Sequence, residues 1–317
     1  MGLSLKSYDE LIDWLLEGDV SIQYQVHKFL LGKERSDLQG RILKEGWGRG
    51  FLLARNEDGT WGQKYYQPKW ISTHYTLLDI RHLMCSMDNE IQSLINQLSE
   101  KEKGPDGGIL PIGTSQASDV CVNGMFLNFA SYFHADEEGL RSVVDFLITE
   151  WMEDGGFNCR SNRSGATHSS MHSTISVLEG IDAYLSRDYT YKRKELERCK
   201  SKSEEFLLMH HLYKSDRTGE IISREFLRLC HPSRWKYNVL RAMDYFALSK
   251  SSWDGRMEDA LKSILEKRRK DGTLPVNAHH PGKTHFQMER AGQASRWNTL
   301  KLLRILKHFD RLDLLNH

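Results

Sequence analysis

Asp154-Gly155-Gly156-Phe157 and, further on, Met171-His172-Ser173-Thr174 set a pattern that the chain repeats. An acidic or glycine turn leads through a polar stretch into a helix rich in apolar residues. The same turn stands at Asp58-Gly59-Thr60-Trp61, Asp106-Gly107-Gly108, Asp216-Arg217-Thr218-Gly219 and Asp271-Gly272-Thr273. The aspartates are 48, 48, 62 and 55 residues apart. A period of this size marks stacked supersecondary units rather than one irregular core. The apolar helices are expected to begin near residues 73, 119, 172, 235 and 297, the last two after a shared Ser-Arg-Trp.

More polar helical segments lie between them: Glu137 to Met152, Lys192 to His210 and Trp253 to Lys270. They mix charges with apolar residues at helical spacing, as a helix with one wet face does. Each unit is therefore two helices, and strand signals are scarce. Repeated helix pairs either stack as a solenoid or close as a ring. Long polar stretches before the apolar helices favour the ring. The expectation is all-α: an α/α toroid formed by residues 1–317 as one domain, with repeats over roughly 55–305. N-terminal helices at 8–31 would complete or cap it.

Lys plus Arg is 44 and Asp plus Glu is 43, a net charge of +1, without the basic excess of a nucleic-acid binder. The first residues carry acids and no apolar run, unlike a signal peptide. The stretch from Val120 to Ala135 is apolar but too short and too polar for a membrane span. Five dispersed cysteines suit free thiols in a reducing cytoplasm.

The glycine turn, polar stretch and inner helix together resemble the repeat of the prenyltransferase and squalene-cyclase (terpenoid cyclase) superfamily. That resemblance implies the α/α toroid. Asp119-Val120-Cys121 and His172 open two successive inner helices, similar to the zinc-site pattern of protein prenyltransferase β subunits. It implies zinc on Asp119, Cys121 and His172, three ligands that leave one position open. The chain also departs from that family. Gly113-Thr114-Ser115-Gln116-Ala117-Ser118 has none of the bases that hold a diphosphate there, and Asp-x-Asp-Asp and Asp-Asp-x-x-Asp are absent.

Other candidates cluster at the helix starts. Glu179, seven residues after His172, shares its helical face and is a candidate general acid or base; a structural ion pair is its other reading. His74 opens the first inner helix. Arg234-Trp235 and Arg296-Trp297 open the last two, suited to an anion and a flat or apolar group. The long loop from Asn277 to Arg290 adds Lys283 and His285, the latter a second acid–base candidate.

Three function classes follow. The first is a zinc-dependent transferase or cyclase on a small isoprenoid-like substrate. The second is a small-molecule binding protein with structural zinc. The third is a metal-free carbohydrate-active toroid using acids such as Glu179 and Glu289. The third predicts two carboxylates facing one groove.

Overall fold

The computed structural model describes residues 5–113, 116–160 and 164–316. All five turn glycines (Gly59, Gly107, Gly155, Gly219 and Gly272) have φ between +72° and +94°. Residues with a Cβ rarely adopt that conformation, so the repeated glycine is a backbone requirement. Four of the five turns are then locked to the start of the inner helix that follows. The Trp61 N–H donates to Thr73 Oγ1 at 2.9 Å, Ile109 N–H to Asn123 Oδ1 at 2.7 Å, Phe157 N–H to Thr174 Oγ1 at 3.0 Å, and Leu274 N–H to Thr299 Oγ1 at 3.0 Å. These bonds satisfy buried backbone groups that would otherwise be orphaned.

The helices in chain order are α1 (Tyr8–Leu16), α2 (Val20–Gln25), α3 (Ser36–Arg41), α4 (Gly46–Leu53), α5 (Thr73–Leu83), α6 (Asn89–Lys101) and α7 (Val120–Tyr132). They continue with α8 (Glu137–Thr149), α9 (Met171–Leu185), α10 (Arg193–Met209), α11 (Val239–Leu248), α12 (Glu258–Leu265) and α13 (Arg296–His308). A π-helical turn, Val26–Leu30, extends α2. Among the described residues β structure is confined to isolated bridges such as Lys103–Ile109 and Lys214–Ile221.

The inner helices α5, α7, α9, α11 and α13 are buried nearly all round; α6, α8, α10 and α12 bury one face and expose the other. The ring closes through the N-terminal segment. Gln25 donates to the His82 carbonyl of α5 at 3.1 Å and accepts from Arg304 of α13 at 3.3 Å, and Lys307 donates to the Leu30 carbonyl. The all-α toroid read from the repeat is the observed architecture.

The fourth inner helix starts at 239, not near 235. Arg234 is in the left-handed region with φ +59°, which interrupts any helix there. The cap falls on Asn238, whose side chain accepts from the Arg241 N–H at 2.8 Å.

The tightest helix crossing is α7 against α9, where Gly124 faces Gly180. A Cβ built on Gly180 would lie 2.3 Å from the Gly124 carbonyl oxygen, and one on Gly124 2.6 Å from the Ser176 carbonyl oxygen. Both obstacles are backbone. Gly180→Ala is therefore expected to destabilise the fold by about 1–3 kcal/mol, the ordinary cost of overpacking, in chemical denaturation. Gly40→Ala, within α3 and open around its Cβ, is the control. It should stabilise by about 0.5–1 kcal/mol, as alanine for glycine does in a helix.

Candidate active site

The central cavity, about 580 Å³, is lined mainly from the middle and C-terminal turns of the inner helices, with Arg241 and Trp297 coming from the first turns of α11 and α13. Arg81 and His82 come from α5, Asn128 and Tyr132 from α7, Glu179 and Asp182 from α9, Arg241 and Asp244 from α11, and Lys301 and Arg304 from α13. Gln25, Lys28 and Phe29 come from α2 and the turn after it; His231 and Trp297 also line it.

Each of the cavity carboxylates is already engaged. Glu179 accepts two bonds from Arg241, at 2.8 and 2.7 Å. Asp244 accepts two from Arg304, both at 2.8 Å, with Lys301 Nζ at 3.9 Å. Asp182 accepts from Lys200 at 2.7 Å. Two-point guanidinium–carboxylate pairs of this kind hold side chains in one orientation. Both oxygens of Glu179 are thus bound to Arg241.

The unengaged atoms are almost all donors or imidazoles. Arg81 donates through Nε to Asn128 Oδ1 at 2.6 Å and lies over the Tyr132 ring. Its terminal nitrogens have no hydrogen bond among the described residues, and no carboxylate pairs with it. Arg187 is spent on the Ser131 and Tyr132 carbonyls. Burial pulls Lys301 below the ordinary lysine range, with Asp244 pulling the other way. The His82 ring has no hydrogen bond among the described residues; burial first, then Arg81, Lys301 and Arg241, pushes it well below the usual imidazole range. At neutral pH it is uncharged. His231 and Trp297 stack at 4.8 Å, and both His231 nitrogens and the Trp297 Nε1 are buried without a partner among the described residues. Buried polar atoms without partners are rare.

Of the residues singled out in the sequence, Glu179 and Trp297 line this cavity. The others lie elsewhere. His74 is buried, its Nδ1 sharing a proton with the Tyr65 hydroxyl at 2.7 Å. His285 bonds Thr76 Oγ1 through Nε2 at 2.9 Å, and burial pushes it down to about 4. Arg234 is ion-paired with Asp79 and lies over Trp70. Trp235 packs edge-on against His172, with Lys69 over its ring. Lys283 sits at a shallow surface concavity beside Pro68. Arg296 points outward, donating to the Trp14 carbonyl and lying over that ring. Glu289, offered as the partner of Glu179, caps α13 instead: it accepts from Ser295 Oγ at 2.5 Å and from the Trp297 N–H.

The donor set expected for zinc fits poorly as it stands. His172 Nδ1 accepts the Tyr237 N–H at 2.8 Å. Burial, then Arg241, pushes this ring down to about 4, so it is neutral at pH 7 and its proton sits on Nε2. Neither nitrogen then offers a lone pair. Among the described residues no group of three or more His, Cys, Asp or Glu is placed to hold a metal ion. Cys121 instead meets Cys159: its backbone N–H donates to Cys159 Sγ at 3.1 Å.

The cavity residues that sequence reading missed carried a signal. Charged residues three apart interrupt the otherwise apolar inner helices at Glu179/Asp182, Arg241/Asp244 and Lys301/Arg304. Residues three apart share a helix face, and that face is the cavity wall.

No family model matches this chain, and no curated protein matches it. Solved structures do. A polysaccharide lyase is 10% identical over 97% of this chain and 98% of its own, with a TM-score of 0.52. A glycosyl hydrolase family 88 protein from Bacteroides vulgatus is 11% identical over 98% and 100%, with a TM-score of 0.51. A type II terpene cyclase from Scytonema is 12% identical over 95% and 98%, with a TM-score of 0.36, too low to carry an argument. At such identities the first two likenesses show the fold alone, and that fold is the α/α toroid.

Proposed function

We propose that this chain is a carbohydrate-active enzyme whose central cavity holds a carboxylate-bearing saccharide. One observation carries the reading: Glu179, Asp182 and Asp244 are each paired with a cation, while the same wall holds Arg81 with no carboxylate in contact, Lys301 and the imidazole of His82. Donors of this kind match a ligand rich in acceptor oxygens and negatively charged. The toroid is also the fold of the lyase and hydrolase above.

The chemistry these groups serve best is removal of the proton beside the carboxylate. Arg81 pairs with the substrate carboxylate and stabilises the charge that builds on it as the C–H bond breaks. His82 receives that proton. The C–H electrons form the new C=C bond and the β C–O bond breaks, its oxygen leaving with a proton from solvent. In the empty cavity burial first, and the surrounding cations second, keep His82 a weak base. A bound carboxylate beside Arg81 offsets the cations' share of that shift and raises its basicity where it is needed.

The test is calorimetric titration with three probes: an oligouronate, a neutral oligosaccharide of equal length and an isoprenyl diphosphate. Absorbance of the conjugated unsaturated uronate is followed in parallel. The oligouronate should bind and the neutral sugar should not. Binding of the isoprenyl diphosphate with no binding of either sugar would overturn this reading in favour of a transferase or cyclase.

A further inference from the structure

Among the described residues the cavity wall carries six lysines and arginines: Lys28, Arg81, Arg187, Arg241, Lys301 and Arg304. Four of them are spent within the chain. Arg241 and Arg304 hold Glu179 and Asp244 by two bonds each. Lys28 lies 3.4 Å from Glu34, and Arg187 donates to two backbone carbonyls. Arg81 and Lys301 remain. Arg81 is bonded only through Nε, and Lys301 Nζ has no hydrogen bond among the described residues. Asp244, 3.9 Å from Lys301, is already held on both oxygens by Arg304.

The two remaining cations mark different parts of the wall. Arg81 reaches from α5 to α7, where it meets Asn128 and the Tyr132 ring. Lys301 reaches from α13 towards α11, where it faces Asp244. Between α7 and α11 stands α9, tied to α11 by the Glu179–Arg241 pair, a stretch of wall with its charges already matched. Both cations act on the same imidazole: after burial, Arg81 and then Lys301 are the leading charges on His82.

We propose that the cavity has two anion subsites, one at Arg81 and one at Lys301, and that its substrate carries acidic sugars in succession. The inference rests on the carbohydrate reading and narrows it. Arg81 takes the carboxylate of the sugar that loses its proton to His82; Lys301 takes the carboxylate of the sugar next to it. A neutral sugar at the second position would leave the Lys301 ammonium, whose side chain is 16% exposed, to be covered by ligand without a counter-charge. Covering a charge without pairing it is costly. A carboxylate there offsets the burial that pulls Lys301 down and favours its protonated form. A site built around a charged group rejects the analogue that lacks it, because its own polar group is then stranded. Lys301 is thus a specificity residue, separate from the base and from the residue that holds the reacting sugar.

The test is calorimetric titration of the full chain at pH 7 with tetramers of 1,4-linked galacturonate and of 1,4-linked mannuronate. Each is used unmodified and methyl-esterified at alternate sugars, which removes neighbouring charges and keeps length and linkage. The unmodified tetramer of the preferred sugar should bind about tenfold or more tighter than its half-ester, as expected for loss of one desolvated charge pair. Lys301→Met should lower the affinity for the unmodified tetramer to that of the half-ester. It should leave the half-ester unchanged, because the remaining carboxylate goes to Arg81. Circular dichroism checks the fold of the variant, and the comparison of the two ligands on the unmodified protein stands without it. Equal affinity for the unmodified tetramer and its half-ester would overturn this inference and leave the carbohydrate reading in place. A preference that persists in Lys301→Met would overturn the assignment to Lys301. Binding of neither sugar in any form would overturn both readings.

Discussion

Asp79→Ala should cost about 3–5 kcal/mol of folding free energy, the range for removing one partner of a buried ion pair. Asp79 is 3% exposed and Arg234 7%, and the two residues are ion-paired across 155 positions of sequence. The pair ties α5 to the segment that leads into α11. Arg234 is also held over the rings of Trp70 and Tyr75, so it has no route to solvent when the carboxylate goes. The loss is therefore an uncompensated buried guanidinium as well as a missing contact. Burial raises Asp79 to about 6, with Arg234 opposing, so at pH 7 the ionised pair is the relevant state. Urea unfolding at pH 7 measures the cost. The double variant Asp79→Leu with Arg234→Met should recover most of it, since two apolar groups leave no stranded charge. A single variant within about 1 kcal/mol of the parent would show that the pair is dispensable.

The turns and helix starts were legible for a reason that the ion pair was not. A left-handed glycine is required wherever these turns occur, so the turn repeats in sequence. The residue that receives its backbone N–H, Thr73, Asn123, Thr174 or Thr299, stands in the first turns of an inner helix and marks it. Ser-Arg-Trp misled at the fourth unit because identical tripeptides play two parts. Ser295 is a true cap, accepting the Asn298 N–H at 2.9 Å, whereas Ser233 precedes a left-handed Arg234 and the cap is deferred to Asn238. Local sequence carries a cap only when the backbone around it agrees.

The site was half-legible. Glu179 and Trp297 were found, but the helix starts were taken as the functional end, and the prenyltransferase-like zinc pattern drew attention to Asp119, Cys121 and His172. In the fold, His172 spends its free nitrogen on the Tyr237 N–H, a contact between residues 65 positions apart that no motif records. The cavity wall was written in charged pairs three apart. Their meaning depends on which inner helices become neighbours: Glu179 with Arg241, and Asp244 with Arg304, pair only once the ring is formed. His231 enters the cavity from a loop, and nothing in its immediate sequence marks it.

Arg81→Met should weaken oligouronate binding by about 30-fold or more, the effect of removing one partner of a desolvated charge pair. The reasoning begins with what Arg81 does in the folded chain without ligand. It sits in the cavity wall, bonded to one amide oxygen and resting on one tyrosine ring; burial lowers it, and Glu179 and Asp182, neither in contact with it, offset only part of that. A stabilising residue would be paired, as Arg241 and Arg304 are. Arg81 is therefore held at some expense to the fold, the usual mark of a group kept for a ligand. The two readouts should move in opposite directions. Methionine keeps much of the side-chain volume and removes the buried charge, so the melting temperature should stay level or rise while affinity falls. Arg304→Met is the contrast: it strands Asp244 and should lower the melting temperature. A large loss of stability in Arg81→Met, with affinity for oligouronate unchanged, would make Arg81 a structural residue and remove the main support for an acidic ligand.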